Sequence, residues 1–392
     1  MCEQLKRPIR VMELRSTYRW GGGPDKTILN SAACHDASKL ETLIVYLRSD
    51  WDKEFVLAQR GREMGLNVVE VVEKRVIDFA SLQKVISLSR EHSIDIIHSR
   101  DYKANLFALI IRTFFNRSVK IITTAHGWVG KGYKVSFYYG MDKVLASFFD
   151  RNLLLFKKQV NLFIRKPNPQ KTIVVHNGID YRDWDPENVT GGSFRSEMSI
   201  PERTTLIGFV GRIMPEKDIL SLISVADEVI NHRKRDALFV CVGESNSPHY
   251  ERAITNRIKA CKLEERFKLL GLRFDLKQIY RDLDVFIMTS IQEGFPNSLL
   301  EAMAMKVPSI VSGVDGIPEI LEDQIHGIIL SPGDITGFAD AIEKLIDNKN
   351  FAKTLVINSR KKVENELSFE YRLKKMEKIY CDLFMERNIH DG

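Results

Sequence analysis

The chain has 392 residues, 44% of them hydrophobic and 28% charged, with a formal net charge of +6. That length is long for one core, so two domains are expected, and the mild positive excess does not by itself announce nucleic acid, which is not expected as a partner. Five scattered cysteines, Cys2, Cys34, Cys241, Cys261 and Cys381, without a C-x-x-C pair argue against a disulfide framework or a structural zinc and for a reducing compartment. No apolar run reaches the roughly 18 residues that a membrane span needs, and residues 1–10 show no secretory signal. The expectation is a cytoplasmic protein, soluble or peripheral on the inner face of a membrane.

In chain order, apolar runs at residues 9–14, 42–47, 67–72, 94–98 and 120–124 read as strands. Residues 24–34, 53–64, 79–91 and 102–115 read as the helical crossovers between them. Repeated βα units of this kind imply a parallel sheet covered by helices on both faces. A further strand at 172–175 ends in His176-Asn177-Gly178-Ile179-Asp180. Residues 181–201 are rich in Asp, Gly, Ser, Asn and Pro and read as a linker.

A second series of predicted strands follows at 204–210, 237–242, 267–270, 285–288, 308–312 and 328–330. Helices at 335–347 and 351–366 close it. A last helix at 368–385 carries Phe369, Tyr371, Leu373, Met376, Ile379 and Leu383 between basic residues. The reading is two doubly wound domains in tandem, with ligands expected at the carboxyl ends of the strands and hence in a cleft between the domains. Expected boundaries are 1–190, 191–367 and 368–392.

Four stretches could carry chemistry. The loop Gly21-Gly22-Gly23-Pro24-Asp25-Lys26-Thr27 follows the first strand, where its glycines let backbone approach a phosphate or sugar. It is not a P-loop, because Asp25 stands where that motif needs Gly, and G-x-G-x-x-G is absent. His126 lies just past the strand at 120–124, placed either for ligand contact or as a structural histidine. His98 reads as structural. Gly211-Arg212 through Glu216-Lys217 puts two cations at the head of a helix, which is unfavourable for the helix dipole unless they face an anion. Glu293-Gly294-Phe295-Pro296-Asn297-Ser298-Leu299-Leu300-Glu301 reads as a strand end, a tight turn and a helix start whose N–H groups suit phosphate, with Asn297 and Ser298 as N-cap residues.

No metal-ligand spacing and no G-x-S-x-G elbow appear, so phosphate stabilisation is assigned to Arg212, Lys217 and helix dipoles, with no metal and no cofactor. Residues 151–171 hold Arg151, Lys157, Lys158, Arg165, Lys166 and Lys171 with no acid. This segment could lie on an anionic membrane surface or be an internal helix with a solvated basic face.

Together these pieces resemble glycosyltransferase family 4, the retaining nucleotide-sugar transferases of GT-B fold. The resemblance runs through Gly22-Gly23, His126-Gly127, Asn177-Gly178-Ile179-Asp180, Gly211-Arg212 with Glu216-Lys217, and the E-x7-E element from Glu293 to Glu301. It implies two Rossmann-like domains facing across a cleft, with the last helix crossing back to the first. By resemblance, Arg212 and Lys217 hold the donor diphosphate, Glu301 the ribose, and Glu293 the donor sugar near its reacting carbon. His126 would lie beside that sugar, Gly22 and Gly23 against donor phosphate or acceptor. Amides around Asn297, Ser298 and Leu299 would complete the phosphate seat, and Gly271 with Arg273 would wall the base pocket. The implied partners are a nucleoside diphosphate sugar and a glycan or lipid-linked acceptor. The rival reading is an inactive nucleotide-sugar-binding subunit of a glycan-assembly complex. The glycine loop departs from the family where Pro24-Asp25 replaces small residues followed by Glu.

Overall fold

The structure is a computed structural model describing residues 7–19, 21–75, 78–125, 140–162, 168–245 and 247–390. It divides into two compact units, Met1–His176 with Arg372–Gly392, and Asn177–Tyr371. Each is built on a parallel sheet, as the long apolar runs require, because strands buried on both faces need no polar alternation.

In the first unit, β1 (Ile9–Ser16), β2 (Leu40–Ser49), β3 (Asn67–Glu73), β4 (Ile96–Ser99), β5 (Lys120–Ala125), β6 (Arg151–Leu154) and β7 (Thr172–Val174) pair in the order β3-β2-β1-β4-β5-β6-β7. Met12, Leu14, Val45 and Ile97 pack with Val85, Leu88, Phe107 and Ala108 from the helices Phe79–Glu91 and Tyr102–Ile110. Ile9, Val11, Ile96, Ile122 and Leu153 pack instead with Met376, Ile379, Tyr380, Leu383 and Phe384 of the helix Phe369–His390. The last helix is thus part of the first unit's core from Arg372 onward.

The strand β6 departs from expectation. The apolar residues Leu153, Leu154, Leu155 and Phe156, read from sequence as one side of a membrane-facing segment, are buried, and Arg151 pairs with Glu386. They fill the sheet core and are not available to lipid. The expected linker is also structured. Asp282 accepts from the amides of Gly192, Phe194 and Arg195 at 2.5, 2.9 and 3.0 Å, and buried Arg360 donates to the carbonyls of Trp184 and Ala304. At Gly178 an added Cβ would stand 2.6 Å from the Ser368 carbonyl oxygen, and Ile179 bridges Ser368. Residues from Asn177 onward therefore belong to the second unit.

That unit orders β8 (Thr205–Val210), β9 (Ala237–Val242), β10 (Phe267–Leu269), β11 (Val285–Met288), β12 (Ser309–Ser312) and β13 (Ile328–Leu330) as β10-β9-β8-β11-β12-β13. The order reverses between β8 and β11, and in an open parallel sheet the carboxyl ends at such a reversal form the binding crevice. Cys241 and Cys261 are free thiols, while Cys381 is disulfide-bonded, a departure from the expectation of a reducing compartment. Among the described residues no helix is long and apolar enough to cross a membrane.

Candidate active site

Three glycines stand in a row at the carboxyl ends of β8, β9 and β10. Gly211 donates its amide to the Val242 carbonyl at 2.9 Å, and Gly243 donates to the Gly271 carbonyl at 2.8 Å. Gly243 has φ 140°, and a Cβ there would sit 1.9 Å from the Gly211 oxygen, so no other residue fits without moving backbone. The sequence signal for Gly243, a glycine ending a buried strand, was present but not used.

The loops leaving β8 and β11 are stitched together across the reversal. Ile291 donates its amide to the Glu216 carbonyl at 2.9 Å, and Thr289 Oγ1 donates to the Asp218 carbonyl at 3.0 Å. Asp218, left-handed at φ 49°, caps the helix Ile219–Asp227 by accepting from Ser221. This brings Lys217 onto Glu293. Lys217 Nζ donates to both Glu293 carboxylate oxygens at 2.6 Å, Ser290 Oγ donates to Oε1 at 2.7 Å, and the Glu293 amide is held by Asp315 at 2.8 Å. Glu293 is 5% exposed. Sequence reading paired Lys217 with Arg212. The structure pairs Lys217 with Glu293 and leaves the Arg212 side chain exposed, in no ion pair among the described residues. Ser290 and Asp315 were missed.

The helix Asn297–Ala304 begins one residue earlier than its expected caps, so the cap position falls on Pro296 and no side chain caps the first turn. Among the described residues its opening amides remain donors without a side-chain acceptor, the arrangement that attracts anions. Asn297 turns to another task, accepting from Asn177 Nδ2 at 3.1 Å, while the same nitrogen lies 3.2 Å from the Phe295 carbonyl. Glu301 is 7% exposed, and Tyr280 Oη lies 3.0 Å from the Ser298 carbonyl and 3.2 Å from Glu301 Oε2. Burial, then the Glu301 charge, push the Tyr280 phenol well above its usual range, so it is a fixed donor to this turn.

Arg273 is committed elsewhere. It meets both oxygens of Glu197 and of Asp275 at 2.6 to 2.8 Å and lies over the Phe194 ring. Gly271 has φ 65° with open space at its Cβ position.

In the first unit, Gly22 donates its amide to Asp25 Oδ2 at 2.7 Å, and Arg15 Nε and Thr17 Oγ1 reach the same carboxylate at 2.7 and 3.2 Å. Asp25, the residue that departs from the family pattern, is the internal brace of the glycine loop, and Gly23 opens the helix Gly23–Cys34. His98 is fully buried between Tyr380 Oη and Thr124 Oγ1, both at 2.7 Å, in the structural role expected of it. His126 lies outside the described residues.

Within the second unit, then, an exposed guanidinium, a lysine–glutamate pair and an uncapped helix start gather at the carboxyl side of one sheet. That is a seat for an anion with a fixed carboxylate beside it. Residues 21–183 match the family model Glycosyltransferase Family 4, and residues 204–348 match Glycosyl transferases group 1. The chain is 26% identical over 320 residues, 79% of this chain and 81% of its relative, to the Escherichia coli UDP-Gal:alpha-D-GlcNAc-diphosphoundecaprenol alpha-1,3-galactosyltransferase. It is 26% identical over 319 residues, 79% of this chain and 82% of the other, to the capsular polysaccharide biosynthesis glycosyltransferase CapM of Staphylococcus aureus. Among solved structures, Anabaena HepE in complex with UDP superposes with a TM-score of 0.82 at 18% identity, over 95% of this chain and all of that one. The chain belongs to glycosyltransferase family 4, the group 1 glycosyl transferases, and is a glycosyltransferase of GT-B fold with two Rossmann-like domains.

Proposed function

We propose that the protein transfers a sugar from a nucleoside diphosphate donor to a glycan or lipid-linked acceptor, retaining the anomeric configuration and using no metal. The observation that carries this reading is the cluster of Lys217, Glu293 and Ser290 beside exposed Arg212 at the β8–β11 reversal. Arg212, the third N–H of Lys217 and the first-turn amides of the helix Asn297–Ala304 supply positive charge for a departing diphosphate, in place of a divalent cation. Glu293 faces the donor sugar and stabilises positive charge at its reacting carbon. Glu301, oriented by Tyr280, accepts the ribose hydroxyls. His126 is assigned to the donor sugar, and Gly22 and Gly23 to the donor phosphate or the acceptor. UDP-sugars are the first donors to test, since the Escherichia coli relative is named for UDP-Gal and HepE was solved with UDP and with UDP-glucose.

The test is release of nucleoside diphosphate from a panel of sugar donors, with and without chelator. Persistence in chelator, a turnover loss in Glu293→Gln and a donor-binding loss in Glu301→Ala are expected. Full activity in both glutamate variants would overturn the site assignment.

A lipid-linked acceptor implies work at a cytoplasmic membrane face, and we place that contact in the first unit. Phe114 is 75% and Phe148 55% exposed, and Arg112, which is ion-paired with Asp150 at 3.0 Å, donates to the Phe148 carbonyl, so two exposed aromatic side chains are offered to the apolar layer. Flotation with anionic vesicles checks this: Phe114→Ser with Phe148→Ser should release the protein, and unchanged flotation would remove the contact.

A further inference from the structure

We propose that the first unit holds a second, small-anion site, between the helix Gly23–Cys34, the strand β2 and the helix Phe369–His390, with Arg372, Arg100 and Ser31 as its donors. A cavity there is lined by Glu13, Ser31, Thr42, Arg100, Arg372 and Tyr380, among others. Arg100 and Arg372 are both 3% exposed. Arg100 uses Nε and Nη2 on Glu13, at 2.8 and 2.9 Å. Its Nη1, with Nε and Nη1 of Arg372 and Oγ of Ser31, is buried without a protein partner among the described residues.

Charge shows what must answer these donors. Around the cavity stand Arg100 and Arg372 against Glu13 and Glu377; Arg100 takes both oxygens of Glu13, and Glu377 is met at 3.7 Å by Lys39, which also meets Asp36 at 3.2 Å. Arg372 is in no ion pair among the described residues. Buried uncompensated charge is costly, and a guanidinium does not escape by losing its proton at neutral pH. Burial, then repulsion from Arg100, lower Arg372 to about 10, which leaves it charged. His98 adds no charge, because burial depresses it to about 4. A monovalent anion answers the unpaired Arg372 guanidinium and accepts from several of the orphaned groups at once. The cavity has room for a body on the scale of a water or a halide, not for a sugar or nucleotide. Arg372 is the first residue of the chain's return to the first unit, so the bound ion pins the start of that helical segment.

Bromide is the probe. Crystals of the full chain soaked in sodium bromide should give an anomalous peak within about 3.5 Å of guanidinium nitrogens of Arg372 and Arg100. In solution, replacing chloride by gluconate at constant ionic strength should lower the wild-type melting midpoint by a few degrees. Arg372→Gln should not respond. Water density without an anomalous signal, or an equal gluconate response in wild type and variant, would overturn the site. The bromide experiment uses wild-type protein alone and so decides the matter even if the variant does not fold.

Discussion

Arg212 and Lys217 both face the proposed diphosphate, but only one of them also holds the fold together, and that difference can be measured. Lys217 spans both oxygens of Glu293 at 2.6 Å, with the two side chains 16% and 4% exposed. Breaking a buried pair costs about 3–5 kcal/mol; the partial exposure of Lys217 reduces this to about 2 kcal/mol. For a unit the size of Asn177–Tyr371 that is a fall in melting midpoint of about 4–8 °C for Lys217→Met. Arg212 is exposed and outside any described ion pair, so Arg212→Met should leave stability within about 0.5 kcal/mol. In the proposed site each cation donates to a charged phosphate, an interaction worth about 1.5–3 kcal/mol. Both variants should therefore lose about ten- to a hundredfold in nucleoside diphosphate affinity. Calorimetry with nucleoside diphosphates and thermal melts on the same samples separate the two effects. The double variant Lys217→Met with Glu293→Gln should recover most of the lost stability, because no lone buried charge remains, without recovering turnover. If Arg212→Met binds within about twofold of wild type, or Lys217→Met melts where wild type does, the division of labour is refuted.

Three further outcomes are expected. Burial holds the His98 imidazole at about 4, below its ordinary value near 6.5. Between those values the unfolded chain binds a proton that the native one does not, so stability is full above about pH 6.5 and falls as pH drops, by about 2 kcal/mol at pH 5. Denaturant titrations should show that slope in wild type and a flatter one in His98→Asn, whereas parallel slopes would count against it. Gly243→Ala forces a Cβ to 1.9 Å from the Gly211 oxygen and should destabilise by more than about 3 kcal/mol, while Gly271→Ala, strained at φ 65° but unobstructed, should cost about 1 kcal/mol; equal melting midpoints would refute the close packing of the strand ends. Asp25→Ala should free the Gly22 amide and raise its hydrogen-exchange rate at least tenfold, and unchanged protection would mean that the loop is braced by something else.

The two units differ in what their sequence disclosed. In the second, every strand falls within a residue of its expected position, because strands buried on both faces are short apolar runs between polar loops. In the first, β6 escaped, since its apolar residues run into Lys157 and Lys158 and read as one amphipathic stretch; what makes it a strand is its pairing with β5 and β7, which sequence spacing does not reveal. The segment 181–201 looked like a linker because its tethers, Asp282 and Arg360, are supplied from far along the chain. The same distinction runs through the site. Glu293 and Glu301 were legible because one loop and one helix carry both. Asp315 and Tyr280 were not, because only the folded sheet brings their loops to that turn. Arg273 shows the converse: a suitable residue in a suitable place, spent on Glu197 and Asp275.

The pairing of Lys217 with Glu293 also bears on how the proposed retaining transfer proceeds. A carboxylate that attacks a sugar carbon needs an unengaged lone pair directed at it. Here Lys217 takes a hydrogen-bond position on each oxygen of Glu293, and Ser290 takes a second on Oε1. A base that has to become a nucleophile is activated by losing such donors, not by gaining them. The cluster instead suits a fixed negative charge. Lys217 has a third N–H, enough to hold the departing diphosphate without releasing Glu293. Positive charge building at the sugar would then lie between a fixed carboxylate and a departing phosphate on a shared lysine. That geometry stabilises a short-lived cation and offers the acceptor hydroxyl the leaving phosphate as its base. On this reasoning Glu293→Asp, which shortens the side chain by one methylene and so withdraws the charge from the sugar, should lower turnover about as much as Glu293→Gln. Mass spectrometry of wild type and either variant, trapped with a slow donor, should find no glycosyl group attached at residue 293; a covalent adduct there would refute the electrostatic role.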